Sequence, residues 1–294
     1  MPFNGKSGKF NASINTVEFG CGDKAVKIGG ENVLPLYTFD APIENAPKIG
    51  VMISDLGLEN EPAGVKAYYE GCTTIGEIAK KAAEMPGADF VCLKLEGADP
   101  NGADKTTEEC MKAVKEVVDA IDVPLVIAGC KNVIILSAKE EDYKGIGAAA
   151  GLAYNQKVGA ESAVDINLAK QLNVLLSQLG VAPSNIVMNV GTAAVGYGFE
   201  YVVSTMDRVK AAALGQADAQ LQMPIITPVA DEAWNVKEAM ASEDDMPEWG
   251  NQEERGIGME VSTAASVLAC GSNAVILKHP TSVATISKLI KEMM

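Results

Sequence analysis

The sequence predicts a (β/α)8 barrel of the TIM type. Two observations carry that reading. From residue 48 onward, short apolar strands alternate with amphipathic helices, and the alternation continues through eight strands. The stretch VPLVIAGCKNVIILSA (123–138) also contains two runs without polar alternation, as expected of parallel strands covered on both faces. A doubly wound open sheet is the runner-up for the same pattern.

The expected elements follow in order. KIGVMISD gives a strand at 49–54, and a helix over 74–85 starts on the Thr74/Glu77 capping-box spacing and ends at Pro86-Gly87. DFVCLKL (89–95) is the second strand. The helix from Thr106 repeats the box with Glu109 and presents Cys110, Val114, Val117, Val118 and Ile121 on one face. Strands at 124–129 and 133–137 come next, then an Ala/Gly-rich helix over 143–154 and a strand at 158–163. In DINLAKQLNVLLSQLG, Asp165 is a good N-cap, Leu168, Leu172, Leu175, Leu176 and Leu179 make the buried stripe, and Gly180 suits the position just past the helix. Strands at 185–190, 223–229 and 273–277 alternate with helices at 197–213, 259–270 and from Pro280.

Two pieces lie outside the repeat. Residues 13–28 have the alternation and Gly-Asp turn of a β-hairpin, placed to cap the barrel's N-terminal mouth, so the expected division is an extension over 1–47 and a barrel over 48–294. Residues 229–256 form a long acidic connection carrying Trp234 and Trp249, either a lid or binding surface or a solvated insertion. One feature of the opening pair conflicts with the barrel. Parallel strands need a crossover of about a dozen residues, and CKN leaves no room for one.

Composition excludes several classes. A net charge of −15 disfavours nucleic acid and anionic membrane as partners. No apolar run approaches the ~18 residues of a spanning helix, and the N-terminus has no signal-peptide core, so a cytoplasmic protein is expected. Six scattered cysteines form no C-x-x-C pair, and a single histidine, His279, rules out a two-histidine metal site within one chain. GIGAAAG (145–151) has the wrong glycine spacing and no strand directly before it for a dinucleotide loop, so close helix packing is the better reading. Lys94 or Lys278 could act as a Schiff-base lysine, or simply be ion-paired. The expected strand-end residues are Asp55, Glu96, Asn132, Ser137, Glu161, Asp165, Asn189, Gly191, Thr192 and Thr227. Rich in amides and hydroxyls, they suit hydrogen bonding to a polar ligand better than proton abstraction.

Several long blocks, among them KAVKIGGENVLPLYTFDAPIENAPKIGVMISD, SAKEEDYKGIGAAAGLAYNQKVGAESAVDINLAKQLN, VMNVGTAAVGYGFEYVVSTMDR and MPIITPVADEAW, closely resemble the small subunit of the corrinoid/iron-sulfur protein, homologous to the delta subunit of archaeal acetyl-CoA decarbonylase/synthase. The resemblance runs from about residue 15 to the C-terminus. It implies a (β/α)8 barrel paired with a large subunit that carries a [4Fe-4S] cluster and a cobalamin domain, the barrel's C-terminal face helping to enclose the corrinoid. It also implies methyl transfer from methyltetrahydrofolate, through a methyltransferase, to acetyl-CoA synthase, with no catalytic residue or metal ligand on this chain. Under that resemblance the turn Asn189-Val190-Gly191-Thr192-Ala193-Ala194, with Thr227 on the next strand, is the expected corrinoid contact. Its small residues admit a bulky flat ligand, and Asn189 and Thr192 can bond corrin amides. The competing class is a catalytic barrel, either a pterin-dependent methyltransferase, whose fold is related, or a Schiff-base aldolase. The resemblance further implies a crossover helix between GCKN and the strand ending in SAKEEDY, apparently missing near residue 132. Either the gene lacks it or the chain omits it, and the steric impossibility of a three-residue parallel connection favours omission.

Overall fold

The computed structural model describes residues 8–38, 40–129 and 138–294. The first regular structure is a hairpin in which β1 (Val17–Phe19) pairs antiparallel with β2 (Val26–Ile28), Val17 opposite Ile28 and Phe19 opposite Val26. The barrel strands are β3 (Lys48–Ser54), β4 (Phe90–Leu95), β5 (Leu125–Gly129), β6 (Val158–Glu161), β7 (Ile186–Asn189), β8 (Ile226–Thr227) and β9 (Ala274–Leu277). All of them pair in parallel. One sheet runs β5-β4-β3-β9-β8 and a second joins β6 to β7. Single bridges link the rest: Met188 to Ile225 carries β7 onto β8, and Ala138 lies parallel to Ala160 of β6. The neighbours therefore follow one another around a TIM barrel, and the sequence's fold class is the observed one.

Strand alternation divides the core in two. Met52, Phe90, Cys92, Val126, Ala128, Val187, Ile226, Ala274 and Ile276 fill the barrel interior, and Val17, Val26 and Ile28 of the hairpin belong to the same cluster. Ile49, Val51, Ile53, Val91, Leu93, Leu95, Val275 and Leu277 point the other way, into the layer beneath the helices. Phe90 shows why size matters here. A Cβ at Gly50 would stand 2.2 Å from its ring, so glycine on β3 makes room for phenylalanine on β4. The hairpin meets the interior at this level, with Phe19 edge-on to Phe90 at 5.3 Å between ring centres. A buried polar tie reinforces the junction: Lys210 Nζ donates to Glu31 Oε1 and to Asn273 Oδ1, each at 3.0 Å, and Asn273 Nδ2 donates to the same Glu31 oxygen at 2.8 Å.

The helices are α1 (Ala63–Tyr68), α2 (Ile75–Ala83), α3 (Thr107–Ala120), α4 (Tyr143–Ile146), α5 (Ile166–Leu179), α6 (Phe199–Lys210), α7 (Val229–Ala233), α8 (Lys237–Met240), α9 (Gln252–Ala269) and α10 (Pro280–Met293). Wider π-type turns continue α4 through Gly147–Ala153 and α6 through Ala211–Gly215. Both capping boxes form, at Thr74/Glu77 and Thr106/Glu109. Asp165 caps α5 by accepting from Asn167 N and Leu168 N, and Gly180 ends it at φ +106°. Leu172 and Leu176 of its stripe are fully buried, each worth about 1.5–3 kcal/mol.

Several expectations need correction. Val118 is 53% exposed, because the stripe of α3 follows Cys110, Val114 and Val117 and leaves Val118 on the solvent side. The strand expected at 223–229 contracts to Ile226–Thr227, since Val229 already begins α7. Helix α9 starts at Gln252, not near 259, because Asn251 accepts from Glu254 N and caps it there. The connection over 229–256 is thus a string of short helices. Arg255 holds it together, donating through Nε to Glu238 O at 2.8 Å and through its other nitrogens to Gly250 O and Ala241 O. The strand expected at 133–137, with Asn132, Ser137, Cys130 and the question of the crossover helix, lies outside the described residues.

Candidate functional site

The C-terminal ends of β3, β4, β6, β7 and β9, with the segment that follows β8, surround two cavities. One, of about 250 Å³, is lined among others by Lys94, Glu161, Asn189, Gly191, Thr192 and Asp231. The other is a cleft of about 850 Å³ bordered by Glu61, Glu96, Trp234, Met240, Glu253 and Lys278. Both fall in or near the size range of ligand sites.

Charge at this mouth is paired almost throughout. Lys94, on β4, contacts Asp231 of α7 and lies 2.9 Å from Glu96. Burial works against its ammonium, but the Asp231 charge and the hydrogen bonds to Asp231 and Glu96 outweigh that and hold its pKa above the ordinary lysine value. Glu96 is the reciprocal case. Burial pushes its carboxyl up, yet the Ser54 hydroxyl, Lys94 and the charge of Lys278 bring it below the ordinary value. Lys278 meets Glu61 at 3.0 Å, Lys105 meets the fully buried Asp55 carboxylate at 3.0 Å, and Lys139 meets Glu161 at 3.4 Å. Glu232 has no such partner among the described residues, and burial together with neighbouring Asp231 raises its carboxyl.

His279 serves the scaffold. It caps α10, its Nδ1 accepting from Thr281 N at 3.1 Å, and its ring stacks on Trp234 at 5.8 Å. Its Nε2 faces Glu253 Oε1 at 3.3 Å, and the same oxygen accepts from Gly64 N, which ties α1 to the start of α9. Glu260 is buried beneath, accepting from the backbone nitrogens of Lys278 and His279 at 2.6 and 3.3 Å, and burial raises its carboxyl. Two cations lie over the Trp249 ring, Lys237 at 5.1 Å and Arg255 at 5.8 Å from its centre.

Of the residues singled out for corrin contact, Asn189, Gly191 and Thr192 come together at the smaller cavity. Asn189 Oδ1 accepts from Gly191 N at 3.1 Å, and Gly191 sits at φ +81°, which only glycine adopts freely. Thr192 Oγ1 is buried with no hydrogen-bond partner among the described residues. Ala193 is partly buried beside this turn against the helix layer. Thr227 is placed elsewhere: it is fully buried, with its hydroxyl 2.8 Å from that of Ser272. Sequence reasoning missed Asp231 as the partner of Lys94 and Glu61 as the partner of Lys278. Pairs 137 and 217 residues apart leave no local signal. Among the described residues no group of three or more His, Cys, Asp or Glu side chains could hold a metal ion, and no helix is long and apolar enough to cross a membrane.

Comparison with known proteins gives the mouth a context. A family model described as the CO dehydrogenase/acetyl-CoA synthase delta subunit matches residues 16–246. Subunit delta 2 of the acetyl-CoA decarbonylase/synthase complex of Methanosarcina acetivorans is 32% identical over 296 positions, covering 92% of this chain and 66% of the relative. That alignment is longer than the part of this chain it covers, so gaps open in this chain. The delta subunit of Methanocaldococcus jannaschii is 30% identical over 97% of this chain and 75% of its own length. This chain therefore spans about two thirds to three quarters of the length of these archaeal relatives. In fold it is similar to dihydropteroate synthase from Vibrio fischeri, with a TM-score of 0.57 at 10% identity over 94% of this chain and 97% of that one. The Yersinia pestis enzyme gives 0.53 at 14% identity, over 84% and 93%.

Proposed function

The chain belongs to the CO dehydrogenase/acetyl-CoA synthase delta subunit family, and from that membership we propose that it is the small, non-catalytic subunit of a corrinoid iron-sulfur methyl carrier in the cytoplasmic acetyl-CoA pathway. Its large partner carries the corrinoid and the [4Fe-4S] cluster. The methyl group comes from methyltetrahydrofolate through a methyltransferase and goes on to acetyl-CoA synthase. The observation that carries this reading is the committed charge of the mouth: Lys94, Lys105, Lys139 and Lys278 each sit on a carboxylate. A Schiff-base nucleophile needs a free neutral amine, and Asp231 and Glu96 hold Lys94 protonated.

The turn after β7 fits a corrinoid. Thr192 Oγ1 is a buried hydroxyl without a partner among the described residues, Asn189 adds an amide, and Gly191, at φ +81°, gives the turn its shape while its missing side chain makes room for Val164. When bound, the corrinoid supplies the cobalt that carries the methyl group, while these residues orient the macrocycle and exclude water around it. Thr227 takes no part, because its hydroxyl is already bonded and shut away from the mouth.

Co-expression with the large subunit followed by gel filtration tests the assignment. The expected result is a coloured heterodimer whose corrinoid absorbance elutes with both chains. A colourless chain that assembles only with itself and acts on a pterin or an aldehyde overturns it.

A further inference from the structure

The loop between β6 and α5 holds two consecutive non-glycine residues in the left-handed region, Ala163 at φ +45° and Val164 at φ +62°. For valine, branched at Cβ, this conformation is strongly disfavoured. It is held from several sides. Val164 N donates to Val190 O at 2.7 Å, and Thr205 Oγ1, from α6, donates to Val164 O at 3.2 Å. Ser162 N donates to Asn189 O at 3.0 Å, prolonging the β6–β7 ladder beyond its last register pair, Glu161 with Asn189. The Val164 side chain then closes on the next loop: a Cβ at Gly191 would lie 3.0 Å from both Val164 Cγ2 and Val164 N. The residues that interlock with the strained pair are therefore Asn189, Val190 and Gly191, the root of the turn that carries Thr192. Strained backbone persists where the surroundings over-determine it, and such places cluster at ligand sites.

We propose that Ala163–Val164 is a positioning element, whose left-handed backbone fixes the Gly191–Ala193 turn in the conformation that presents Asn189 and Thr192 to the cavity at the barrel mouth. This rests on the corrinoid reading for the identity of the ligand, but the positioning itself does not. The property at stake is the backbone conformation of Val164, in which both of its main-chain polar groups are bonded. A residue that enters the left-handed region easily, such as asparagine, preserves the arrangement. Proline, fixed near φ −65° and without an N–H, destroys it.

The test uses Val164→Asn, Val164→Pro and Thr205→Val in the full chain, with two measurements. Amide hydrogen exchange of the chain by itself is expected to show residues 190–193 exchanging at least tenfold faster in Val164→Pro and several-fold faster in Thr205→Val, with Val164→Asn like the parent. Cobalamin retained by the heterodimer after gel filtration is expected to fall at least tenfold in Val164→Pro and to stay within twofold in Val164→Asn. If Val164→Pro does not fold, Thr205→Val decides, and unchanged exchange at 190–193 in that variant overturns the proposal. Equal loss in the asparagine and proline variants also overturns it, because the side chain and not the backbone would then matter. A parent heterodimer that retains no cobalamin refutes the corrinoid reading instead, leaving the exchange measurement to judge the positioning element.

Discussion

Replacing Lys210 with methionine should destabilise the chain by an amount that depends on pH in a predictable direction. Lys210 is 2% exposed, and its ammonium is held by Glu31 and Asn273 where the N-terminal extension meets the start of β9. Burial pushes the Glu31 carboxyl up, but the Lys210 charge and the hydrogen bonds from Asn273 and Lys210 outweigh it, and the net pKa falls below the ordinary 4.5. Methionine removes the countercharge and leaves the carboxylate buried, a change that typically costs about 3–5 kcal/mol. In the parent, the contribution of Glu31 is fully present above pH 4.5 and is lost as pH falls through its lowered folded value. In Lys210→Met burial prevails and the folded value lies above 4.5. The penalty is then full at neutral pH and relieved as pH falls toward 4.5, where the carboxyl takes up a proton in the fold. Urea unfolding followed by circular dichroism at pH 7.5 and pH 5 should therefore show a gap between parent and variant that narrows at the lower pH. The double variant Glu31→Gln/Lys210→Met should recover much of the loss, because no charge remains buried. A single variant within about 1 kcal/mol of the parent at pH 7.5, or a gap indifferent to pH, would refute the reasoning.

Three further outcomes are expected. Gly191→Val or Ala193→Trp should reduce cobalamin retention in the heterodimer while the barrel stays folded, and Lys170→Trp on the outer surface of α5 should not; equal corrinoid absorbance in all three removes the turn from the site. Borohydride trapping with a small aldehyde should leave no adduct on Lys94, because Asp231 and Glu96 hold its amine protonated; a mass increase on the peptide containing Lys94 would reinstate a Schiff-base barrel. Gly50→Ala should cost about 1–3 kcal/mol by overpacking against the Phe90 ring, read as a lower urea midpoint, and a smaller residue at position 90 should restore part of it.

The fold was legible because its signals are local. Capping boxes at Thr74 and Thr106, the Asp165 cap and the Gly180 terminus are fixed by residues within one turn of one another, and the structure contains each of them. The errors arose where two local signals competed. In MPIITPV the apolar run argued for seven residues of strand, but α7 begins at Val229 and leaves only two. In the acidic segment over 229–256, charge density concealed short helices whose stability comes from Arg255 bridging to carbonyls of Glu238, Ala241 and Gly250, bonds without sequence periodicity. That Asn189, Gly191 and Thr192 line one cavity followed from another kind of signal. Small residues directly after a barrel strand are a positional signal, whereas the strained Val164 that holds them belongs to the preceding loop and looks ordinary in sequence.

The pairing of the mouth also explains why a barrel similar in fold to pterin enzymes need not act as one. Fold alone carries no reaction, so the question is which side chains at the strand ends are free to do chemistry. An acid or base needs a proton affinity near the working pH. Here the Lys94 amine is raised away from neutrality by Asp231, the Glu96 carboxyl is lowered away from it by Ser54 and Lys94, and the one histidine accepts a helix-capping hydrogen bond at Nδ1. The raised carboxyl of Glu232 is the exception, set by burial and Asp231, with no base or nucleophile paired to it among the described residues. On the proposed function, a mouth built in this way offers hydrogen bonds, shape and exclusion of water, which is what a macrocycle carrying its own reactive metal requires of the protein around it. On the proposed reading the hydroxyl of Thr192, buried without a partner among the described residues, is the complement of that inventory, a polar group not taken up by the scaffold.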